Sequence, residues 1–242
     1  MKKHLILPAM LLVLLALTAC SAPVATVTPS PAPTYDVREN PPLDGKSLSA
    51  AVPDFLDEEQ QFLYRRAYCV YNHLFGLNSE DFEHWTEADE WYRYEIGEME
   101  YRGVPYTRAL GRYAKWEDFD ALVHSVFTDE FWEERNQHRY VNFDGTLFFI
   151  YGSKGGYYYN KNFPDTFTLV SKTEDEICFT LTGHYSSPWP REGETYEDRD
   201  KRLESGWDYT WDFPVRMVRT EDGWRFDEFH TAHADQVAPE EV

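Results

Sequence analysis

Positive charge is what this sequence has least of for its size. Across 242 residues, 43 aspartates and glutamates face 23 lysines and arginines, a formal net charge of −20. A field of that sign repels phosphate backbones and anionic lipid headgroups, which argues against nucleic-acid binding. Cysteine is scarce too, at three residues. Cys69 and Cys178 lie too far apart for a short metal motif and are too few for a disulfide scaffold. The two can form one disulfide or sit as small buried residues, the commoner fate of cysteine. Phosphate-binding glycine loops, nucleophile elbows and paired cysteine–histidine motifs are also missing, so no catalytic signature of those kinds is present. Long apolar runs are limited to one, Leu5 to Leu17.

That run follows Lys2-Lys3 and ends in Leu17-Thr18-Ala19-Cys20. A charged start, a short apolar stretch and small residues before a cut describe a secretory leader, and Pro8 with the short length opposes a stable spanning helix. The cysteine at the junction resembles a bacterial lipobox, which implies residues 1–19 as a lipoprotein signal peptide and lipidation of Cys20. Acyl chains there would hold the chain on the extracytoplasmic face of the cell membrane. Loss of Lys2 and Lys3 leaves 21 basic against 43 acidic side chains, a net charge of −22, so the anchor and not electrostatics supplies membrane attachment.

Residues 20–53 read as a tether. Seven of the fourteen prolines fall between Ser21 and Pro53, with Tyr35 the one aromatic residue there, so the stretch has too little apolar surface to offset its ordering entropy. Residues 54–236 are then one domain and 237–242 an acidic tail. Within the domain, Phe55, Leu56, Phe62, Leu63, Ala67, Val70, Tyr71 and Leu74 repeat at helical spacing between an N-cap at Asp54 and a stop at Gly76. A second helical stretch runs from Trp116 to Phe127, and Thr128 caps a short continuation through Phe131 and Trp132. From Tyr140 the period changes to that of strands: 140–143, 146–151, 157–159, 167–170, 177–185, 209–218 and 224–229. Asp144-Gly145 and Glu221-Asp222-Gly223 are hairpin turns.

This order predicts an α+β fold with N-terminal helices packed on a curved antiparallel sheet. It resembles the cystatin-like and NTF2-like superfamily, in which a bent sheet wraps a long helix. A narrower likeness spans Tyr101 to Phe229, about half the chain. Leu122-Val123-His124-Ser125-Val126-Phe127-Thr128, then Phe143-Asp144-Gly145-Thr146-Leu147-Phe148, then Val218 to Arg225 with Asp222-Gly223-Trp224, resemble the IseA-like family of secreted D,L-endopeptidase inhibitors. That resemblance implies a noncatalytic protein, needing no cofactor, that plugs the groove of peptidoglycan hydrolases of the NlpC/P60 type. The lipobox and tether depart from the family and would confine inhibition to enzymes near the membrane.

The longest stretch without strand pattern, Ser186 to Gly206, carries the candidate partner-binding residues Trp189, Glu192, Glu194, Tyr196, Glu197, Asp198 and Asp200, with Glu204 alongside. Under the resemblance, one carboxylate takes the place of the substrate's D-glutamyl carboxylate and an aromatic ring anchors the contact. The bland alternative is a solvated insertion. An enzymatic alternative, a lyase or isomerase, would need His184, Asp208 and His230 to converge in the cone of an NTF2-like fold. A third reading is a cell-wall glycan or peptide module. Aromatics make up 17% of the residues, and Trp207, Tyr209, Trp211 and Phe213 share one face at period two, which is core if it meets the helix and a sugar platform if it meets solvent. His230, His233 and Asp235 are the one compact set of metal-ligand types. They lack the intervening glutamate of a zinc-hydrolase helix, and no metal site is assigned.

Overall fold

The first described helix, α1 (Glu58–Phe75), shows why the sequence commits to this architecture. Leu63, Tyr64, Ala67, Val70, Tyr71 and Leu74 fall on one face at three- and four-residue spacing and are all buried. The helix starts three residues later than Asp54, because the reciprocal cap belongs to Asp57. Asp57 Oδ1 accepts from the Gln60 N–H at 2.9 Å, and Gln60 Oε1 accepts from the Asp57 N–H at 3.1 Å. The computed structural model describes residues 51–75, 93–101, 103–110, 113–150 and 158–235. These fall within one compact unit, Tyr35–Val242. The leader, Cys20, nearly all of the tether, Gly76 and the tail at 237–242 lie outside the described residues.

A hairpin that the sequence pattern did not suggest comes next, β1 (Arg93–Tyr101) and β2 (Val104–Leu110). A register shift between Glu95 and Met99 breaks the alternation that would have marked β1. Helices α2 (Trp116–His124) and α3 (Asp129–Asn136) follow. The expected single helix through Phe127 therefore ends at His124, while Thr128 caps α3 as expected, accepting from the Phe131 N–H at 3.3 Å. Residues 126–128 run along β8 (Gly223–Glu228), with Thr128 N–H to Phe226 O at 2.9 Å and Phe226 N–H to Val126 O at 2.8 Å, and so cover that edge.

Strands β3 (Tyr140–Phe143) and β4 (Thr146–Phe149) are joined by Asp144 and Gly145, both at positive φ, 52° and 75°. That is the conformation of a two-residue hairpin turn. After β4 come β5 (Thr166–Lys172), β6 (Glu176–Tyr185), α4 (Tyr196–Ser205), β7 (Tyr209–Thr220) and β8. Of the expected strand at 157–159, Tyr159 makes an isolated bridge to Tyr185, and Tyr157 lies outside the described residues.

The fold is α+β, and among the described residues the strands divide into two four-stranded antiparallel sheets, ordered β1-β2-β4-β3 and β5-β6-β7-β8. Among the described residues, α1 precedes the strands, and α2 and α3 follow the first hairpin. The core lies between α1 and the inner face of the second sheet: Tyr64 packs its ring on Phe167, Phe179, Phe226 and Phe229 at 5.6–6.2 Å. On that inner face stand Ile177, Phe179 and Leu181 of β6 and Phe213, Val215 and Met217 of β7. Tyr209 and Trp211 pack beside them, so the period-two row is core as far as the strand extends. Trp207 lies before β7 and is 47% exposed.

Candidate functional site

The segment 186–208 forms an arm on the end of the second sheet, and it is not an irregular loop. Its centre is α4, ten residues of which none is buried. A helix with no apolar face gets its order from its ends. Thr195 Oγ1 accepts from the Asp198 N–H at 3.1 Å, and Asp198 Oδ2 accepts from the Thr195 N–H at 3.1 Å and its hydroxyl at 2.7 Å. The Thr195 hydroxyl and N–H together hold the Asp198 carboxyl below its ordinary range. The Thr195-x-x-Asp198 spacing is a signal in the sequence that could have located this helix.

Arg202 ties the arm's base together. Its side chain, 15% exposed, bonds Glu194 Oε1 and Asp208 Oδ2, each at 3.2 Å, and the carbonyls of Ser187 and Trp189, also at 3.2 Å. Arg191 pairs with the second oxygen of Asp208, and its N–H donates to Glu194 Oε2 at 2.8 Å. That N–H, with Arg202 behind it, depresses the Glu194 carboxyl. Buried Asn160 closes the other side, its Nδ2 reaching the carbonyls of Leu203 and Gly206 at 3.0 Å and Ser186 Oγ at 3.2 Å. None of Arg191, Arg202 and Asn160 stood out in the sequence.

The seven candidate partner-binding residues therefore divide. Glu194 and Asp198 face inward chemically, as part of the brace and the cap. Trp189 and Tyr196 are 60% and 63% exposed, and Glu192, Glu197 and Asp200 are exposed beside them. Arg199 ties the Tyr196 ring to the preceding segment, donating to Pro188 O at 3.0 Å while its guanidinium lies 5.1 Å from the Tyr196 ring centre. The result is a solvent-facing surface of two aromatic rings and three carboxylates, of which Glu197 pairs with Lys201 at 2.8 Å and Asp200 with Arg199 at 2.6 Å.

His184, Asp208 and His230 have separate surroundings. His184 projects from the outer face of β6, buried between Trp207, at 4.3 Å between ring centres, and Phe163, at 6.2 Å. Burial pulls its imidazole below the ordinary range, against the carbonyl of Pro164. Asp208 is bound by the two arginines. His230 stacks on Phe213 at 5.5 Å, on the core side of the same sheet, and its Nδ1 meets Asp235 Oδ2 at 3.2 Å. Asp235 also accepts from the Tyr71 hydroxyl at 3.0 Å and pairs with Arg135. Burial pushes the Asp235 carboxyl up, and these partners outweigh it and hold it low. His230 opens on a cleft of about 320 Å³ with Glu130, Glu134, Arg135 and Glu228. His233 packs on Tyr159 at 5.9 Å, away from His230's partners. Among the described residues no three histidine, cysteine, aspartate or glutamate side chains are placed to share a metal ion.

Cys69 and Cys178 are free thiols, the first buried and the second half-buried. Asp165, at the start of β5, escaped the sequence reading altogether. Only 6% exposed, it is pushed up to about 7 by burial, which the Tyr159 hydroxyl opposes. Its Oδ1 and the Tyr64 hydroxyl are buried without a hydrogen-bond partner. No protein-family model matches the sequence, and no curated protein matches it.

Proposed function

We propose that this chain is a noncatalytic binder, lipid-anchored through Cys20 at the extracytoplasmic face of a bacterial cell membrane, and that its arm occupies the groove of a cell-wall D,L-endopeptidase of the NlpC/P60 type. The observation that carries the reading is the arm: α4, a helix that buries nothing in its own domain yet is locked at both ends, presents Tyr196 to solvent, and the braced segment before it presents Trp189. Ordering such rings in advance lowers the entropy lost on docking, and rigid aromatic anchors dominate binding energy in protein interfaces. Glu192 supplies the carboxylate that a groove built for a D-glutamyl group would accept, while Glu197 and Asp200 are held by Lys201 at 2.8 Å and Arg199 at 2.6 Å. The finer likeness, to cystatin-like and NTF2-like folds and to the IseA-like inhibitors, belongs to this same proposal.

Immobilised full-length protein, incubated with cell-wall extract, is expected to capture a D,L-endopeptidase and silence its activity on muropeptides. Capture without loss of activity, or no capture, contradicts the inhibitor reading.

A further inference from the structure

The outer face of the second sheet is the mirror of its core face. Strand register puts Thr166 opposite Thr182 and Thr168 opposite Thr180, four threonines in a two-by-two array across β5 and β6. On β7, Asp212 stands opposite Thr182 and accepts its hydroxyl at 2.6 Å. The array is solvent-facing: Thr166, Thr168 and Asp212 are exposed, and Thr180 and Thr182 are half-buried. At the end of the same face the exposed Trp207 ring is gripped edge-on by His184 at 4.3 Å and Phe163 at 4.9 Å.

We propose that this face is a binding surface for an uncharged, extended polysaccharide, with Trp207 stacking on a sugar ring and the threonine array and Asp212 bonding its hydroxyls. The occupant follows from charge and chemistry. On a chain of net charge −20 the array carries one carboxylate, and the nearest arginine on the face, Arg216, is already paired with Asp227 and Glu176. An anionic polymer would be repelled by the molecule's field, and a cationic one, though drawn to the molecule as a whole, would find only Asp212 to pair with in the array, its carboxylate already accepting the Thr182 hydroxyl. A neutral polyol finds hydroxyls that both donate and accept, spaced by about 5 Å between strands and about 7 Å along them. Threonine is stiff about χ1, so the hydroxyls are pre-placed, as the indole is by its two neighbours. The proposal uses neither Trp189 nor Tyr196, so it adds a glycan-binding function to the proposed inhibitor and does not depend on it.

Co-sedimentation of the full-length protein, in detergent, with insoluble chitin and with cellulose tests the proposal. Wild type is expected to pellet with at least one of the two. Trp207→Ala, and separately Thr168→Val with Thr180→Val, should each weaken binding tenfold or more, while Trp189→Ala with Tyr196→Ala should not. The valines keep the strand shape and remove only hydroxyls, so their loss of binding is not a loss of fold. No sedimentation with either polymer overturns the proposal, as does binding that survives the threonine pair of substitutions.

Discussion

A Cβ added to Gly183 would stand 2.4 Å from the Cβ of Ala232, so the chain after β8 passes β6 at a distance that only glycine permits. Next to this crossing the Tyr185 hydroxyl donates to Ala232 O at 2.9 Å, and Asp235 then joins Tyr71 of α1 to Arg135 of α3. Gly183→Ala is expected to destabilise the domain by about 1–3 kcal/mol, the usual cost of overpacking. Adding Ala232→Gly should restore much of that loss. Thermal melts of the two single variants and the double variant check the coupling; purely additive effects would show that the crossing is not tight.

Asp165 makes stability depend on pH in an unusual direction. Its folded-state carboxyl titrates at about 7 and its unfolded one near the ordinary value of 3.8. The unfolded chain therefore gives up this proton first, and the contribution, complete below pH 4, is lost as pH rises towards 7 and is flat above it. One proton corresponds to at most about 1.4 kcal/mol per pH unit in that window. Urea unfolding of wild type and Asp165→Asn from pH 4.5 to 8 should give curves that diverge, the variant gaining relative stability as pH increases. Parallel curves would mean that Asp165 is ionised in the folded protein.

Burial pushes the Cys69 thiol up to about 12, whereas Cys178 is half-buried on the outer face of the second sheet. Alkylation at pH 8, located by mass spectrometry, should modify Cys178 on the native protein and Cys69 only after unfolding. Equal labelling of both, or neither thiol free, would contradict the packing of α1.

Removal of Arg202 should loosen the arm and leave the core intact, because α4 buries nothing. In Arg202→Ala, amide hydrogens of residues 196–205 are expected to exchange at least tenfold faster, while the melting temperature moves by only a few degrees. Unchanged exchange would show that the Thr195–Asp198 cap orders α4 alone.

The strands of the second sheet were legible because Ile177, Phe179 and Leu181 alternate with Cys178, Thr180 and Thr182, and the sheet buries one face. The same parity separates His184 from the core face, which already sets it apart from the His230 side. The first hairpin was not legible, since its register shift destroys the period. The division into two sheets was hidden as well, because pairings such as Thr107 with Phe149 are set by tertiary contacts. Helix α4 escaped periodicity for a related reason: a helix without a buried face has no apolar stripe to detect. Trp189 and Tyr196, candidate partner contacts by sequence, are both exposed. The brace behind them depends on Asn160, which reaches the arm from another part of the chain.

Titration of a purified NlpC/P60-type D,L-endopeptidase with the full-length protein, and with its Trp189→Ala/Tyr196→Ala variant, tests the central claim most directly. The account predicts stoichiometric suppression of peptide cleavage by wild type and at least tenfold weaker inhibition by the variant at an unchanged melting temperature. Undiminished cleavage at saturating wild-type protein, or equal inhibition by both forms, would contradict it.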